Sequence, residues 1–274
     1  MKRSAIVLAV LAALAVAGAL DTVKSRGAVS TASFGASAFR MRAGNGPAST
    51  STTPGRAAAI LNDPNKVKYV ALAANDRLSA LLAGDIDVLA RNTTWSNARE
   101  SQYGLLATGA TYYDGQGFLV AKKLKIDSAS QLGNRSIGFE QGTTSEAHRL
   151  FRLQRHEGHG RPLRASRRRH QGHGAGQCDA FTSDALTLYG ARRRVGKVED
   201  HVFLSDLISR ESLSPFVRQG DHTWFNIIRW AHFVLLNAEA LGIRQTTVDR
   251  DLESSNRATG GCLEAMTFPA SKWD

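Results

Sequence analysis

Between Val67 and Ala90 the hydrophobic period of the sequence changes twice in one short stretch, and that pattern constrains the fold more than any other. Val67-Lys68-Tyr69-Val70-Ala71-Leu72 is rich in β-formers, Asp76 to Ala83 repeats at helical spacing up to Gly84, and Ile86-Asp87-Val88-Leu89-Ala90 is a largely apolar run. Strand, helix and strand in such short order predict a right-handed βαβ unit with a parallel pair. An α/β architecture follows.

Further strand signals lie at 117–121, 135–139 and 179–182, with a helix predicted from Ser183 to about Ala191. Trp224, Ile227, Ile228, Ala231, Leu235, Ala238 and Leu241 recur at helical spacing before Gly242, which predicts a core-facing helix. Gly142-Thr143-Thr144-Ser145-Glu146 reads as a turn into a helix N-terminus.

Met1-Lys2-Arg3-Ser4 followed by an apolar run to Val16 and by Ala17-Gly18-Ala19 has the form of a cleaved secretory signal over residues 1–19. The run is shorter than the roughly 20 residues that span a bilayer. A mature chain beginning near Leu20 or Asp21, soluble in the periplasm or outside the cell, is therefore expected.

The net charge of +11 would ordinarily suggest an acidic partner, so its distribution matters. Two stretches, 27–56 with three arginines and no acid and 149–173 with eight arginines against Glu157, carry +10 of it. Neither has periodicity, so both read as loops. Structureless runs of that length are unusual inside a compact α/β domain. Arg167-Arg168-Arg169 could bind nucleic acid, yet the patch holds no stacking aromatic except Phe151 and the export signal points elsewhere; no nucleic-acid partner is expected. His156, His159, His170 and His173 have spacing tolerable for zinc, but runs of Arg, His and Gly also arise from shifted GC-rich codons; neither metal nor cofactor is expected.

The segments 63–70, 84–95, 112–118 and 217–221, with Asn237-Ala238-Glu239, closely resemble the general L-amino-acid-binding proteins of ABC importers, family 3 solute-binding proteins. The resemblance covers 20–26, 57 to about 148, and 177 to about 256. It implies the type II periplasmic-binding-protein fold: two α/β lobes, each a mainly parallel sheet flanked by helices, joined by two crossing strands. Lobe one would hold residues 20–116 and 208–274, lobe two residues 117–207. The departures at 27–56, at 149–176 and from about 257 onward can be explained by shifted reading frames, the alternative being genuine divergence. One codon choice for 48–53 reads Gly-Leu-Asp-Val-Asp-Tyr one nucleotide away, and 168–175 shift to Asp-Ala-Ile-Lys-Ala-Met-Glu-Gln. The first strand of lobe one should lie within 27–56, where nothing recognisable remains.

A zwitterion needs a cationic partner for its carboxylate and an anionic one for its ammonium. The resemblance implies that Arg99 clamps the carboxylate through its planar fork, with Thr94 adding donors and Arg91 and Asn92 facing the cleft. On its residues alone Arg99 could equally be a solvated helix arginine. Thr143 and Thr144 resemble the family's loop at a helix N-terminus, although such caps are common. Asp184 resembles the aspartate that pairs with the ammonium; otherwise it is an acid at the start of a helix. The implied function is capture of free L-amino acids by a monomer that delivers them to membrane permease subunits. An enzyme on the same fold, such as a dehydratase or lytic transglycosylase, is the alternative, but no paired acid and base or activated nucleophile stands out. Cys178 resembles a half-cystine whose partner position is Gly138, so that bond should be absent. Cys262, in the shifted tail, is a poor substitute.

Overall fold

The computed structural model describes residues 18–33, 54, 57–63, 65–132, 135–147, 178–193, 198–244, 246–253 and 256–266. The fold is two-lobed and mixed α/β. Most of the two basic stretches, including the four histidines, lies outside the described residues, as do residues 1–17 of the expected signal. Helix α1 (Ala19–Arg26) begins at the end of that signal and buries Leu20 and Val23.

In lobe one, strand β1 (Val29–Ser33) pairs in parallel with β2 (Val67–Ala71), Val29 opposite Val67. Thr31 bridges Val88 in parallel, and Leu89 bridges Phe216 of β10 (Phe216–Arg218), which pairs antiparallel with β3 (Leu105–Ala107). This corrects two expectations. Residues 29–33 are a strand and not a loop, so lobe one does possess its first strand. The expected parallel pair of 67–72 with 86–90 is also interrupted, because β1 lies between them. The stretch failed to read as a strand because Ser30, Thr31 and Ala32 are small and unpatterned. They are nonetheless fully covered.

Helix α2 (Arg77–Ala83) covers this sheet with Ala80 and Leu81 and stops at Gly84, whose φ of +85° only glycine adopts without strain. Arg218 caps the exit, its Nη1 donating to the carbonyls of Leu81 and Ile86 at 2.8 Å each. Asp87 is buried beneath α1, where it accepts from Ser30 N at 2.6 Å and from the Arg26 guanidinium. Burial nevertheless pushes its carboxyl above the ordinary range.

The predicted long helix is α5 (His222–Ala240). Asp221 caps it, accepting from Trp224 N at 2.7 Å, while its other oxygen accepts from Leu20 N at 2.9 Å and so ties α1 to α5. Trp224, Ile227, Ile228 and Ala231 form the buried stripe. Trp224 is fully enclosed and donates Nε1–H to Asp87 O at 3.0 Å; truncation to alanine would cost about 3–5 kcal/mol. Part of the tail read as shifted forms helix α6 (Arg257–Met266), which packs on α5 and buries Cys262.

Lobe two is built on a sheet ordered β6–β7–β5–β8. Strand β5 (Gln116–Ala121) pairs antiparallel with β7 (Ala180–Asp184) and β8 (His201–Phe203), and β6 (Ile137–Gly138) pairs parallel with β7. Strand β7 continues through Ser183 and Asp184, two residues into the predicted helix, which begins only at α4 (Ala185–Arg192). Between the lobes, β4 (Tyr112–Asp114) and β9 (Glu211–Leu213) form an antiparallel ladder. Among the described residues neither Cys178 nor Cys262 is in a disulfide, and a Cβ placed on Gly138 would lie 2.9 Å from Cys178 Sγ.

Candidate functional site

The floor of the cleft on the lobe-one side is the turn that follows Leu89. Thr93 N closes it on Arg91 O at 2.8 Å, and Thr94 then bridges Leu213 of β9. Three arginines brace this turn. Arg91 Nη1 donates to Leu72 O at 2.8 Å, Arg77 Nη1 at the start of α2 donates to Asn92 O at 3.3 Å, and Arg99 Nη1 donates to Thr94 O. Arg99 stands on the short helix α3 (Asn97–Ser101), and all three side chains are buried.

On the lobe-two side, Asp184 ends β7 and starts α4, a junction that aims its carboxylate at the cleft while Leu188 and Ala191 are buried behind it. The loop before helical residues 144–147 is closed on itself. Thr143 Oγ1 donates to Glu140 O at 2.7 Å, and Gly142 N donates to Glu146 Oε2 at 2.9 Å. Gly142 has φ +77°, and a Cβ there would sit 2.6 Å from Asn75 Cα in lobe one. Glycine is what allows the two loops to meet.

Direct hydrogen bonds cross the cleft. Asn92 Nδ2 donates to Asp184 Oδ2 at 2.9 Å and to Thr187 Oγ1 at 3.0 Å. The hydroxyls of Thr94 and Thr144 lie 3.3 Å apart, and both donate to Glu211 Oε2, at 2.5 and 2.9 Å. Arg77, Arg91, Asn92, Thr94, Glu140, Thr143, Thr144, Ser183 and Asp184 line the resulting cavity.

Burial sets the electrostatics. It pushes the Asp184 carboxyl up to about 7, reinforced by the Glu211 and Asp114 carboxylates and opposed by the Asn92 bond and Arg77. Burial likewise lowers Arg91 and Arg99 to about 10, with Arg77 adding like-charge repulsion; both remain cationic at neutral pH. Arg77 is also lowered by burial, against the attraction of Glu140 and Asp184, and its Nε has no hydrogen-bond partner among the described residues. A cavity with guanidinium groups and a carboxylate poised to ionise can neutralise both ends of a zwitterion.

Six of the seven residues singled out from sequence therefore share one cavity: Arg91, Asn92, Thr94, Thr143, Thr144 and Asp184. Arg99 lies behind Thr94, reaching its carbonyl. Sequence reading passed over Arg77 and Glu211. Arg77 looks like an ordinary first-turn arginine, and only the packing of α2 buries it. Glu211 did carry a signal: it alternates in phase with Leu213, which puts a charge on the buried face of a strand.

No family model matches the sequence. Among curated proteins the chain is 40% identical over 202 residues to the general L-amino acid-binding periplasmic protein AapJ of Rhizobium johnstonii, a match covering 73% of this chain and 59% of AapJ. It is 36% identical over 263 residues to the putative amino-acid ABC transporter-binding protein YhdW of Escherichia coli K12, covering 93% of this chain and 76% of YhdW. The chain belongs to the amino-acid-binding proteins of ABC transporters. A solved ABC transporter periplasmic binding protein from Brucella ovis, with glutathione bound, matches this binding protein with a TM-score of 0.80 and 34% identity. That match covers 91% of this chain and 80% of the Brucella one. The expected two-lobed fold and family are thus met, but the lobe-two sheet is not mainly parallel as expected, since β5 runs antiparallel to both β7 and β8 and only β6 pairs in parallel. The relatives carry the names of binding proteins.

Proposed function

We propose that the chain captures free L-amino acids in the periplasm and hands them, as a monomer, to the permease subunits of an ABC importer. The observation that carries this reading is the pairing inside one buried cavity of an aspartate with buried arginines, bridged across two lobes by Asn92. Asp184 takes the ammonium. The guanidinium groups of Arg77, Arg91 and Arg99 take the carboxylate, with Thr143 and Thr144 closing the site from lobe two.

The purified full chain, heated with each of the twenty L-amino acids, tests the reading. A ligand present at a hundred times its Kd stabilises the native state by about 2.7 kcal/mol and raises the melting temperature accordingly. Ligand recovered unchanged after incubation marks capture without turnover. Absence of any shift across the twenty would overturn the proposal.

A further inference from the structure

Glu211 is 3% exposed and sits on β9, between the lobes. Its Oε2 accepts from the hydroxyls of Thr94 on one lobe and Thr144 on the other, and its Oε1 accepts from Ser209 Oγ at 2.8 Å. A threonine hydroxyl carries one proton, and a carboxylate can only accept. With both protons directed at Glu211, what Thr94 and Thr144 turn toward the cavity is lone pairs.

We infer that Glu211 fixes the hydrogen-bond polarity of the site, converting the hydroxyls of Thr94 and Thr144 into acceptors that select for the ligand's α-ammonium group. The inference rests on the amino-acid-binding reading and revises the expectation that Thr94 serves the ligand's carboxylate. A carboxylate placed against these two oxygens would face their lone pairs, with the charge of Glu211 behind them. An ammonium brings three protons, enough for Asp184 and both hydroxyls. The electrostatics agree, since Glu211 is, after burial, the largest influence raising the Asp184 carboxyl, so the two acids share one neighbourhood. Arg77 and Arg91 line the same cavity and remain for the ligand's carboxylate. Glu211 is thus a positioning residue, acting on the ligand through two threonines.

The test is calorimetry on the full chain with the tightest-binding of the twenty L-amino acids and with its des-amino carboxylic acid. The readout is the ratio of the two Kd values. In Glu211→Gln, whose amide can donate, the hydroxyls are released from their fixed direction. The preference for the amino acid should fall roughly ten- to a hundredfold, the worth of a hydrogen bond to a charged group. Thr144→Val should reduce the same ratio, and the double variant should lose less than the product of the single losses. If Glu211→Gln does not fold, Glu211→Asp, which keeps the charge but draws the carboxylate back from both hydroxyls, should lower the same ratio. Equal weakening of both ligands, leaving the ratio unchanged, would show that Glu211 only holds the fold and would overturn the inference. A wild-type chain that binds none of the twenty would instead bring down the proposed function, and this inference with it.

Discussion

Asn92 on lobe one donates its side-chain amide to the carboxylate of Asp184 on lobe two, at 2.9 Å. Replacing Asp184 with asparagine keeps an acceptor for that bond and removes only the charge. Asp184→Asn should therefore weaken amino-acid binding by about 2–5 kcal/mol and leave des-amino analogues nearly unaffected. Calorimetry with both ligands decides it, and equal losses would give Asp184 a structural role alone.

The raised Asp184 carboxyl makes binding depend on pH. Its value of about 7 in the ligand-free closed form, against 3.8 ordinarily, means that the carboxylate an ammonium needs is only partly formed below neutrality. Affinity should fall by up to about tenfold per unit as pH drops below 7, and flatten above it. For stability the sign is opposite. A carboxyl raised by folding contributes stability that is fully present below about pH 4 and lost as pH rises through 7. The melting temperature of the ligand-free protein should show this slope relative to Asp184→Asn. Identical pH profiles for the two would contradict it.

Arg99 is buried behind Thr94, whose carbonyl it holds. As one of the three guanidinium groups proposed to take the ligand's carboxylate, Arg99 is tested by Arg99→Ala, which should cost amino acids and des-amino acids alike, by about 2–5 kcal/mol. Titration of both ligands is the measurement. A folded variant with unchanged affinity would leave the carboxylate to Arg77 and Arg91.

A Cβ on Gly138 falls 2.9 Å from Cys178 Sγ, close to the spacing across a disulfide. Gly138→Cys should form that bond in oxidising buffer and raise stability by about 2–4 kcal/mol. The gain should vanish with reductant. Two free thiols by mass spectrometry under oxidation would refute the geometry.

Gly142→Ala pushes a methyl group into the Asn75 backbone at 2.6 Å and strains a φ of +77°, at a cost of roughly 1–2 kcal/mol. The closed form should suffer more than either lobe. Small-angle scattering with saturating ligand should then show a more open particle than wild type. An unchanged profile would mean that the loops adjust without parting.

The elements legible in the sequence are those whose neighbours agree with their own period. Strand β5, helix α2 and helix α5 have apolar patterns that match the face they bury, so local reading found them. Strand β1 defeats that reading because Ser30 and Thr31 are buried by what surrounds them, not by their own character. The site divides the same way. Asp184, Thr94 and Arg91 lie in segments whose residues are recognisable in order. Arg77 and Glu211 matter because tertiary packing buries their charges, which no local window contains.

The position of β1 also bears on the order in which the molecule assembles. Strands β1 and β2 are made early, but β10, which completes their sheet through Leu89, is not available until residue 216. Lobe two draws its sheet from the continuous span between Gln116 and Phe203. Ring closures over so long a span slow lobe one and leave its early strands unpaired while the chain is still emerging. Lobe two therefore consolidates first, and pulse-labelled hydrogen exchange should protect Leu119 and Phe181 before Val88 and Phe216. The early strands of lobe one thus stay open until Phe216 is in place.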